Sequence, residues 1–477
     1  MIIRWPVPNN LGRPKVLLNR LHNSAVVWSW IFNGFRLASG LIVLPLVLRL
    51  FTQADLGMYY VLLSLAALGP IVDFGFGPTI GRFVSYAMGG AEALQAHGVP
   101  HPASNSSPNY PLLWQLLLTT RRLYAYLALA ILFILGLWGT YMVEMRIGET
   151  SSTLITRLAW LATLLSTVYD IYSNWWSVYL RSLNEVRVAA RIGVVGLVVK
   201  FIISVALLLS GAGLLSIPIA SLAGSITQRR LARARTLALL KGERPAKGAN
   251  IKDNLRILWP NSWRLGVHFM SGYLTVNANT AICSFVFGLA ANAKYGLSIQ
   301  LMSIVSGMAY VWTSTKWPII GQHQARREQI PVQRILWPRI WLQNFTFLLL
   351  AAGVVFCVPF LLRWLGSNKE MLPVSWMAVL ALGSFLDFQF TAWTTLISME
   401  NRLPFLWPTV ATNVLSLSLT LALVHFTSLG LGSLVLGPLL AWSLFNYWYW
   451  PLFAARGMGT TLFRFLFFGP TKPSSVV

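Results

Sequence analysis

Two arginines inside apolar segments are the residues of this sequence best suited to binding chemistry. Arg36 lies in the middle of the apolar run 24–48, where Ser29, Asn33 and Gly40 recur around it at spacings of three or four residues. These spacings place the four residues on one face of a helix. A polar helical face is costly against lipid, so it predicts the lining of a water-filled cavity.

A second polar stripe follows in the apolar run 258–287. Its members recur every three or four residues and are Asn261, Arg264, His268, Ser271, Thr275 and Asn279. Arg264 also lies near the cytoplasmic end of the run, so its side chain reaching the membrane surface stays an alternative. Cations in a membrane cavity predict an anionic ligand, and the planar fork of arginine suits phosphate or pyrophosphate.

Four further ionisable residues lie within apolar runs. Lys200 stands in the middle of VVGLVVKFIISV, where it either faces the cavity or pairs with an aspartate. Asp73, Asp170 and Asp387 lie in the second, fourth and tenth runs. Such carboxylates serve either H⁺ or Na⁺ coupling, or a structural role beside a cation or a helix break. Asp73 precedes Phe-Gly-Phe-Gly-Pro, which predicts a broken helix at that point.

The substrate-binding set predicted from these patterns is therefore Arg36, Arg264, Asn33, Asn261, His268 and Lys200. No pattern for catalysis or metal binding accompanies it. The two cysteines, Cys283 and Cys357, are far from any metal-ligand spacing, and there is no phosphate-cradling glycine loop or nucleophile triad. We expect no catalytic residue, no metal and no cofactor, and so a protein that is not an enzyme.

The elements that must position these residues are transmembrane helices. A helix needs about 20 apolar residues to cross a bilayer. About twelve runs meet that length, in a chain that is 56% hydrophobic with a mean hydropathy of +0.62. Their approximate bounds are 24–48, 57–88, 120–143, 154–180, 188–209, 213–237, 258–287, 294–320, 340–362, 373–399, 405–427 and 431–455. The predicted fold class is an all-α integral membrane protein.

The positive charge of the chain is distributed unevenly between the gaps that separate these runs. Most residues towards the end of a run are counted with the adjacent gap. Of 37 Lys and Arg residues, 28 then fall in the termini and alternate gaps, six in the opposite gaps and three, Arg36, Lys200 and Arg264, inside runs. This is the positive-inside pattern, and it predicts that both termini are cytoplasmic. The net charge of +24 therefore points to contact with membrane lipids and not to nucleic acid.

The two halves of the chain resemble each other. Asp170, Trp176 and Asn184 align without gaps with Asp387, Trp393 and Asn401, and Leu56-Gly57 matches Tyr295-Gly296. The repeat predicts two six-helix lobes related by a pseudo-two-fold axis along the membrane normal, with a site at their interface. The predicted divisions are an N-terminal segment 1–23, a lobe 24–240, a basic linker 241–257, a lobe 258–456 and a cytoplasmic tail 457–477.

Residues 41–82, LIVLPLVLRLFTQADLGMYYVLLSLAALGPIVDFGFGPTIGR, carry a family resemblance. A proline-containing first span, Leu-Gly-x-Tyr and an Asp-x-Gly element resemble the Wzx-type polysaccharide flippases. These belong to the multidrug/oligosaccharidyl-lipid/polysaccharide (MOP) exporter superfamily. The resemblance implies alternating access that moves an undecaprenyl-pyrophosphate-linked oligosaccharide to the outer leaflet of a bacterial cytoplasmic (inner) membrane. It also implies polysaccharide polymerase or ligase partners.

Two alternatives stay open at the level of the sequence. One is a small-molecule or drug exporter of the same superfamily, although those proteins usually favour carboxylates over arginines in the cavity. The other is a membrane polysaccharide polymerase or glycosyltransferase. That chemistry needs a sizeable extracytoplasmic loop, and the predicted external gaps are short, with only Asp55, Glu144, Glu149 and Glu370 as acids.

Overall fold

The computed structural model describes residues 25–93, 107–240, 251–325, 328–364, 369–398 and 404–470. These residues are almost entirely helical, which confirms the all-α prediction. The predicted N-terminal segment 1–23 and residues 241–250 of the predicted linker lie outside the described residues. Residues 251–257 of that linker are the beginning of a helix.

Nine helices cover the described residues of the first half. They are α1 (Ala25–Leu50), α2 (Gln53–Ala66), α3 (Gly69–Val72), α4 (Phe76–Met88), α5 (Tyr110–Ile134), α6 (Thr140–Glu144), α7 (Thr153–Ser182), α8 (Val186–Leu209) and α9 (Ser216–Leu239). A π-helical turn at Leu135–Gly139 joins α5 to α6, and a 3₁₀ turn at Ile147–Glu149 follows α6.

Eight helices cover the described residues of the second half. They are α10 (Ile251–Ser314), α11 (Trp317–Ala325), α12 (Gln329–Trp364), α13 (Val374–Ser398), α14 (Leu406–Phe426), α15 (Ser433–Ser443), α16 (Asn446–Gly457) and α17 (Leu462–Phe468). The tail predicted from residue 457 onwards therefore contains a helix, α17.

Polar residues just before the apolar runs begin several of these helices. Thr52 precedes α2, and its side chain accepts a hydrogen bond from the Asp55 amide at 3.1 Å. Asn109 precedes α5 and accepts from the Leu112 amide at 3.1 Å. Each side chain satisfies one of the amides that have no partner within the helix.

Two breaks in the helices involve positive φ angles. The second predicted span, 57–88, is divided among α2, α3 and α4, and Phe74 and Gly75 between α3 and α4 adopt φ angles of 49° and 73°. The long helix α10 is broken at Gly288 (φ 82°, ψ 177°), between the two runs predicted at 258–287 and 294–320. Glycine is suited to this position because its backbone adopts positive φ without a steric penalty.

Seven stretches of helix are long and apolar enough to cross a membrane, judged by length and composition. They are Tyr110–Glu144, Thr153–Ser182, Val186–Leu209, Met270–Ser314, Gln329–Arg363, Val374–Ser398 and Leu406–Phe426. A multi-pass membrane protein is therefore supported. The total of twelve spans, the two six-helix lobes and the cytoplasmic termini stay predictions.

The chain separates into two compact units. The first comprises the described residues of Met1–Val47, Val72–Gly136 and Arg157–Arg264, and the second those of Leu48–Ile71, Leu137–Thr156 and Leu265–Val477. In the first unit, Trp175 and Trp176 stack with ring centroids 4.1 Å apart. The Tyr179 hydroxyl there donates to the Leu113 carbonyl at 2.6 Å, which ties α7 to α5.

The second unit has an aromatic core where α12, α13, α15, α16 and α17 meet. Its buried aromatic members are Phe390, Trp393, Phe405, Trp442, Trp450 and Phe465. The Trp450 indole donates to Asn446 at 2.8 Å, and the Asn446 amide donates to Thr412 at 2.7 Å. The Trp450 indole is thus paired within the core, whereas the buried indole N–H of Trp442 has no hydrogen-bond partner among the described residues.

Candidate functional site

Close packing of α8 on α9 builds a polar site in the first unit. A Cβ atom added at Gly224 would lie 2.8 Å from the Gly196 carbonyl oxygen and 3.1 Å from the Lys200 Cβ. Small residues allow this approach because no side chain separates the two backbones. Lys200 on α8 is therefore held beside the turn of α9 that carries Ser225.

Asp170 on α7 lies at a similar depth. It is twelve residues from the end of α7, and Lys200 is fourteen from the start of α8. With a rise of about 1.5 Å per residue, both lie roughly 20 Å from the helix ends predicted to be cytoplasmic.

The Asp170 carboxylate has two partners on neighbouring helices. It accepts a hydrogen bond from the Ser225 side chain and interacts electrostatically with Lys200. Among the described residues, no direct salt bridge joins the aspartate to the lysine. Both side chains are half-buried.

Arg229, one turn after Ser225, extends the site. Its guanidinium lies 5.1 Å from the ring centroid of Tyr169 and 4.4 Å from that of Tyr172, both on α7. These are cation–π contacts, and they hold the guanidinium beside the turn of α7 that carries Asp170. By sequence alone, Arg229 counts among the charges of a cytoplasmic gap. The signal that could have placed it here is its spacing of four residues from Ser225, on one helical face.

We call this set the Asp170 cluster; its members are Tyr169, Asp170, Tyr172, Lys200, Ser225 and Arg229. It holds two cations and one carboxylate, so it carries net positive charge. An amine, a guanidinium and a hydroxyl together donate many hydrogen bonds and accept few. The arrangement is suited to an anion with several oxygen atoms.

The other predicted substrate-binding residues are less fully described. Arg36 lies on α1 with an exposed side chain, and the Ser39 hydroxyl donates to its backbone carbonyl at 3.1 Å. The side chains of Asn33, Asn261, Arg264 and His268 lie outside the described residues. Their predicted roles in substrate binding stay predictions, as does that of Arg36.

Asp73 occupies the interruption before α4. Its carboxylate accepts a hydrogen bond from the Gly77 amide at 3.1 Å and another from the Tyr124 hydroxyl on α5. It therefore satisfies an amide at the start of α4 and joins that helix to α5. Of the two roles predicted for this aspartate, the contacts favour the structural one.

Asp387 occupies the same repeat position as Asp170 but has different surroundings. It lies on α13 with an exposed side chain, and Tyr447 on α16 interacts electrostatically with it. In the described part of the second unit, no ion pair with a cation is found for Asp387. Among the described residues, a lysine interacts with Asp170 and none is found to interact with Asp387.

A polar cluster that no sequence pattern predicts surrounds the break in α10. Arg146 donates to Glu149 at 2.8 Å and to the Phe285 carbonyl at 2.5 Å. Glu149 also accepts from the Leu289 amide at 2.8 Å. One ion pair therefore satisfies a carbonyl before Gly288 and an amide after it, which are the groups that a broken helix leaves without partners.

The first two turns of α2 lie in the same region. Asp55 accepts from the Ser151 amide at 3.1 Å and from its hydroxyl at 2.5 Å. The repeat-related glycines Gly57 and Gly296 each lie in close contact. A Cβ at Gly57 would lie 2.0 Å from the Leu289 carbonyl oxygen, and one at Gly296 would lie 2.3 Å from the Tyr60 ring. Neither position has room for a larger side chain.

A second ion pair lies beside this region. Lys294 on α10 contacts Glu370, before α13, at 2.5 Å. The hydrogen bond from Lys294 lowers the pKa of the Glu370 carboxyl. All four loops involved are predicted to be external, so we call Asp55, Arg146, Glu149, Ser151, Lys294 and Glu370 the external polar cluster.

The second unit also contains a cavity of about 510 Å³ at the ends of α11, α12, α13 and α16. Its floor is apolar, and its rim carries Gln324, Glu328, Gln329 and Arg456. Glu328 pairs with His323 at 2.5 Å. In the described part of the chain, no group of histidine, cysteine or carboxylate side chains has an arrangement that could hold a metal ion.

Neither a known family model nor a curated protein sequence matches this chain. Its fold is similar to those of solved transporters. An inward-facing multidrug resistance transporter of the MATE family, within the MOP superfamily, aligns over 89% of this chain and 95% of its own. That alignment has a TM-score of 0.64 and 14% sequence identity.

Two further structures show the range of this fold. The MATE multidrug transporter DinF-BH, solved as a complex with a bound compound, aligns over 94% of this chain and 97% of its own, with a TM-score of 0.60 and 16% identity. A MOP superfamily transporter from Pyrococcus furiosus aligns over 92% and 97%, with a TM-score of 0.53 and 14% identity. Its binding pocket has reverse polarity, which suggests a different function for it. At these identities the similarity shows the fold alone.

Proposed function

We propose that this protein is a multi-pass membrane transporter that carries an amphipathic anion by alternating access, and that it is not an enzyme. The observation that carries the proposal is the net positive charge of the Asp170 cluster, whose members lie on α7, α8 and α9. Of these helices, α7 and α8 are long and apolar enough to cross a membrane. The similar folds belong to transporters and not to enzymes, which agrees with this class.

Two cargo classes fit a transporter of this fold, namely small molecules and lipid-linked glycans. The similar structures include multidrug transporters, and this comparison favours the small-molecule exporter over the lipid-linked glycan flippase. The charge of the Asp170 cluster favours an anion over a cationic drug. The pocket of the Pyrococcus furiosus transporter supports the idea that one fold accommodates pockets of opposite polarity.

We infer that the anion is a polyprenyl-pyrophosphate-linked oligosaccharide. Its pyrophosphate would contact Lys200 and Arg229, together with Arg36 and Arg264, and its glycan would contact the amides Asn33 and Asn261 and His268. The proposed setting is the bacterial inner membrane, with polysaccharide polymerase or ligase partners. An amphipathic small anion is the second candidate.

The Asp170–Lys200 pair has a specific part in the proposed cycle. An unpaired cation is costly inside a membrane. When no anion is bound, Asp170 partly neutralises Lys200 and so lowers the cost of the empty state. When an anion arrives, it takes over that role. Binding of H⁺ or Na⁺ at Asp170 or Asp387 would change this balance and couple transport to an ion gradient.

The test compares Arg229→Gln with Arg230→Gln, an exposed neighbour that serves as a matched control. Each protein is reconstituted in vesicles containing a fluorescent polyprenyl-pyrophosphate disaccharide, and its translocation is measured with a membrane-impermeant quencher. Removing one charge-assisted contact of about 1.4 kcal/mol lowers the rate about tenfold. We expect that loss in Arg229→Gln and a rate near that of the unchanged protein in Arg230→Gln.

A parallel assay separates the cargo classes. Uptake of a small anionic dye without movement of the lipid would support the second candidate. Uptake of a cationic dye that does not depend on Arg229 would contradict both anionic cargoes and support a multidrug exporter.

A further inference from the structure

The short helix α17 is held firmly on one side. Thr461 begins the helix by accepting from the Arg464 amide at 3.3 Å, and Phe465 is completely buried in the aromatic core of the second unit. The Leu466 carbonyl accepts from the indoles of Trp337 at 3.0 Å and Trp341 at 2.9 Å. Two residues one turn apart on α12 therefore fix the position of α17.

The opposite side of α17 is aromatic and uncovered by the described residues. Phe463, Phe467 and Phe468 are 66%, 60% and 75% exposed. Phe463 and Phe467 lie four residues apart, with ring centroids 4.7 Å from each other, and Phe467 lies 6.4 Å from the ring of Trp341. Three neighbouring phenylalanines on one surface are unfavourable in water.

This aromatic surface continues along α12. Several of the exposed apolar side chains of α12 lie along one face, among them Trp341, Phe345, Leu348, Phe356 and Phe360. The helix is among those long and apolar enough to cross a membrane. Its exposed apolar face is the one expected to meet lipid, and α17 lies at the end of that face nearest the N-terminus of α12.

Exposed basic residues lie on α17 and on two helices that pack against it. Arg464 on α17, Arg456 on α16 and Arg334 on α12 are all exposed. Aromatic rings beside arginines are typical of helices that lie in the interface of a membrane with anionic lipids. Indoles such as that of Trp341 prefer the same depth.

We propose that Leu462–Phe468 lies in the plane of the cytoplasmic membrane surface and binds anionic phospholipid, with Phe463, Phe467 and Phe468 inserted at the boundary between headgroups and acyl chains. The helix is then an anchor that sets the depth of α12 in the bilayer, and not part of a free tail. This assignment rests on α12 spanning the membrane and does not depend on which substrate is transported.

The experiment places a spin label at Phe467→Cys in the full chain, with Cys283→Ala and Cys357→Ala removing the native thiols. The protein is reconstituted in vesicles of phosphatidylcholine and phosphatidylglycerol. Collisions of the label with lipid-soluble O₂ and with a water-soluble nickel reagent are then compared. Arg464→Cys is the control on the same helix, and native Cys357, exposed on α12, is the reference for lipid.

We expect the label at Phe467→Cys to favour O₂, as the Cys357 label does, and the label at Arg464→Cys to favour nickel. Equal access of nickel to both positions would overturn the proposal, because α17 would then lie in water. A label at position 467 that neither reagent reaches would also overturn it, since protein and not lipid would cover the surface. A second label, at Phe463→Cys, repeats the test if the first variant does not fold.

Discussion

At the scale of single residues, Lys200 is the side chain on which the proposed transport depends most. In Lys200→Met the Asp170 cluster loses a cation, and Asp170 is left without the charge that faces it. We expect anion translocation to fall about tenfold or more, as the loss of about 1.4 kcal/mol of interaction implies. The measurement is the rate of lipid translocation in vesicles, normalised to folded protein.

The matched control for this prediction is Val199→Met, one position earlier on α8. It introduces the same side chain without changing charge. If both methionine variants lose activity equally, packing and not charge is responsible. If Lys200→Met keeps full activity, the Asp170 cluster is not the anion site.

Asp73 belongs to a different class of residue, because its partners are a helix amide and a tyrosine. In Asp73→Ala the Gly77 amide and the Tyr124 hydroxyl lose their acceptor. The expected destabilisation is about 1–3 kcal/mol, measured by unfolding in detergent. Tyr124→Phe should show a smaller effect, since it leaves the bond to Gly77. A loss of transport in Asp73→Ala with unchanged stability would indicate coupling instead.

Spacing in the sequence predicts which residues share a helical face, and it does not identify their partners across helices. The polar stripe around Arg36 was visible in this way. The contact of Arg229 with two tyrosines could not be predicted from spacing, because it depends on how closely α9 approaches α7. Trp175 and Trp176 are both buried and stack on each other, which indicates a packing role.

At the scale of elements, the external polar cluster should stabilise the break in α10. In Glu149→Ala the Leu289 amide and the Arg146 guanidinium both lose a partner. We expect a destabilisation of about 1–3 kcal/mol, because unpaired groups at helix ends are costly. The measurement is the melting temperature in detergent together with faster hydrogen exchange at the Leu289 amide.

Gly148→Ala, one residue earlier, is the control, since no other group lies within 4 Å of the position a Cβ would take there. An equal drop in melting temperature for both variants would mean that the loop as a whole, and not the carboxylate, supports the helix break.

Hydropathy predicts helices well, and it is less informative about where a helix bends or stops. The apolar runs 154–180 and 188–209 coincide closely with α7 and α8. The interruption at Asp73 was predicted because Gly and Pro are concentrated there. The external polar cluster was not predicted, because short gaps with few acids carry no pattern. The role of these acids becomes apparent only in the structure, where loops distant in sequence come together.

At the scale of the whole molecule, the distribution of charge predicts the orientation of every helix. Single cysteines at Gly148→Cys and Glu92→Cys, in a background without native cysteines, lie in gaps predicted to be external and cytoplasmic. Both positions are exposed. An impermeant maleimide added to intact cells should label only Gly148→Cys, and disruption of the cells should allow labelling of both. Labelling of Glu92→Cys alone in intact cells would show that the orientation is the opposite of the predicted one.

The internal repeat predicted equivalent carboxylates in the two halves, and the structure places them in unequal surroundings. Asp170 lies near Lys200, whereas Asp387 lies near Tyr447. A repeat in sequence constrains where a residue sits on its helix. It does not constrain the helices that pack against it, and the described partners of Asp170 and Asp387 differ. The anion site is therefore proposed in one half only.

The most direct test of lipid-linked glycan transport is the leaflet distribution of polyprenyl-linked glycans in cells with and without this protein, measured with a membrane-impermeant glycan-modifying reagent. We predict that loss of the protein traps a lipid-linked unit on the cytoplasmic side, and that Lys200→Met reproduces the defect. If every such lipid reaches the outer leaflet normally without the protein, lipid-linked glycan is not its cargo.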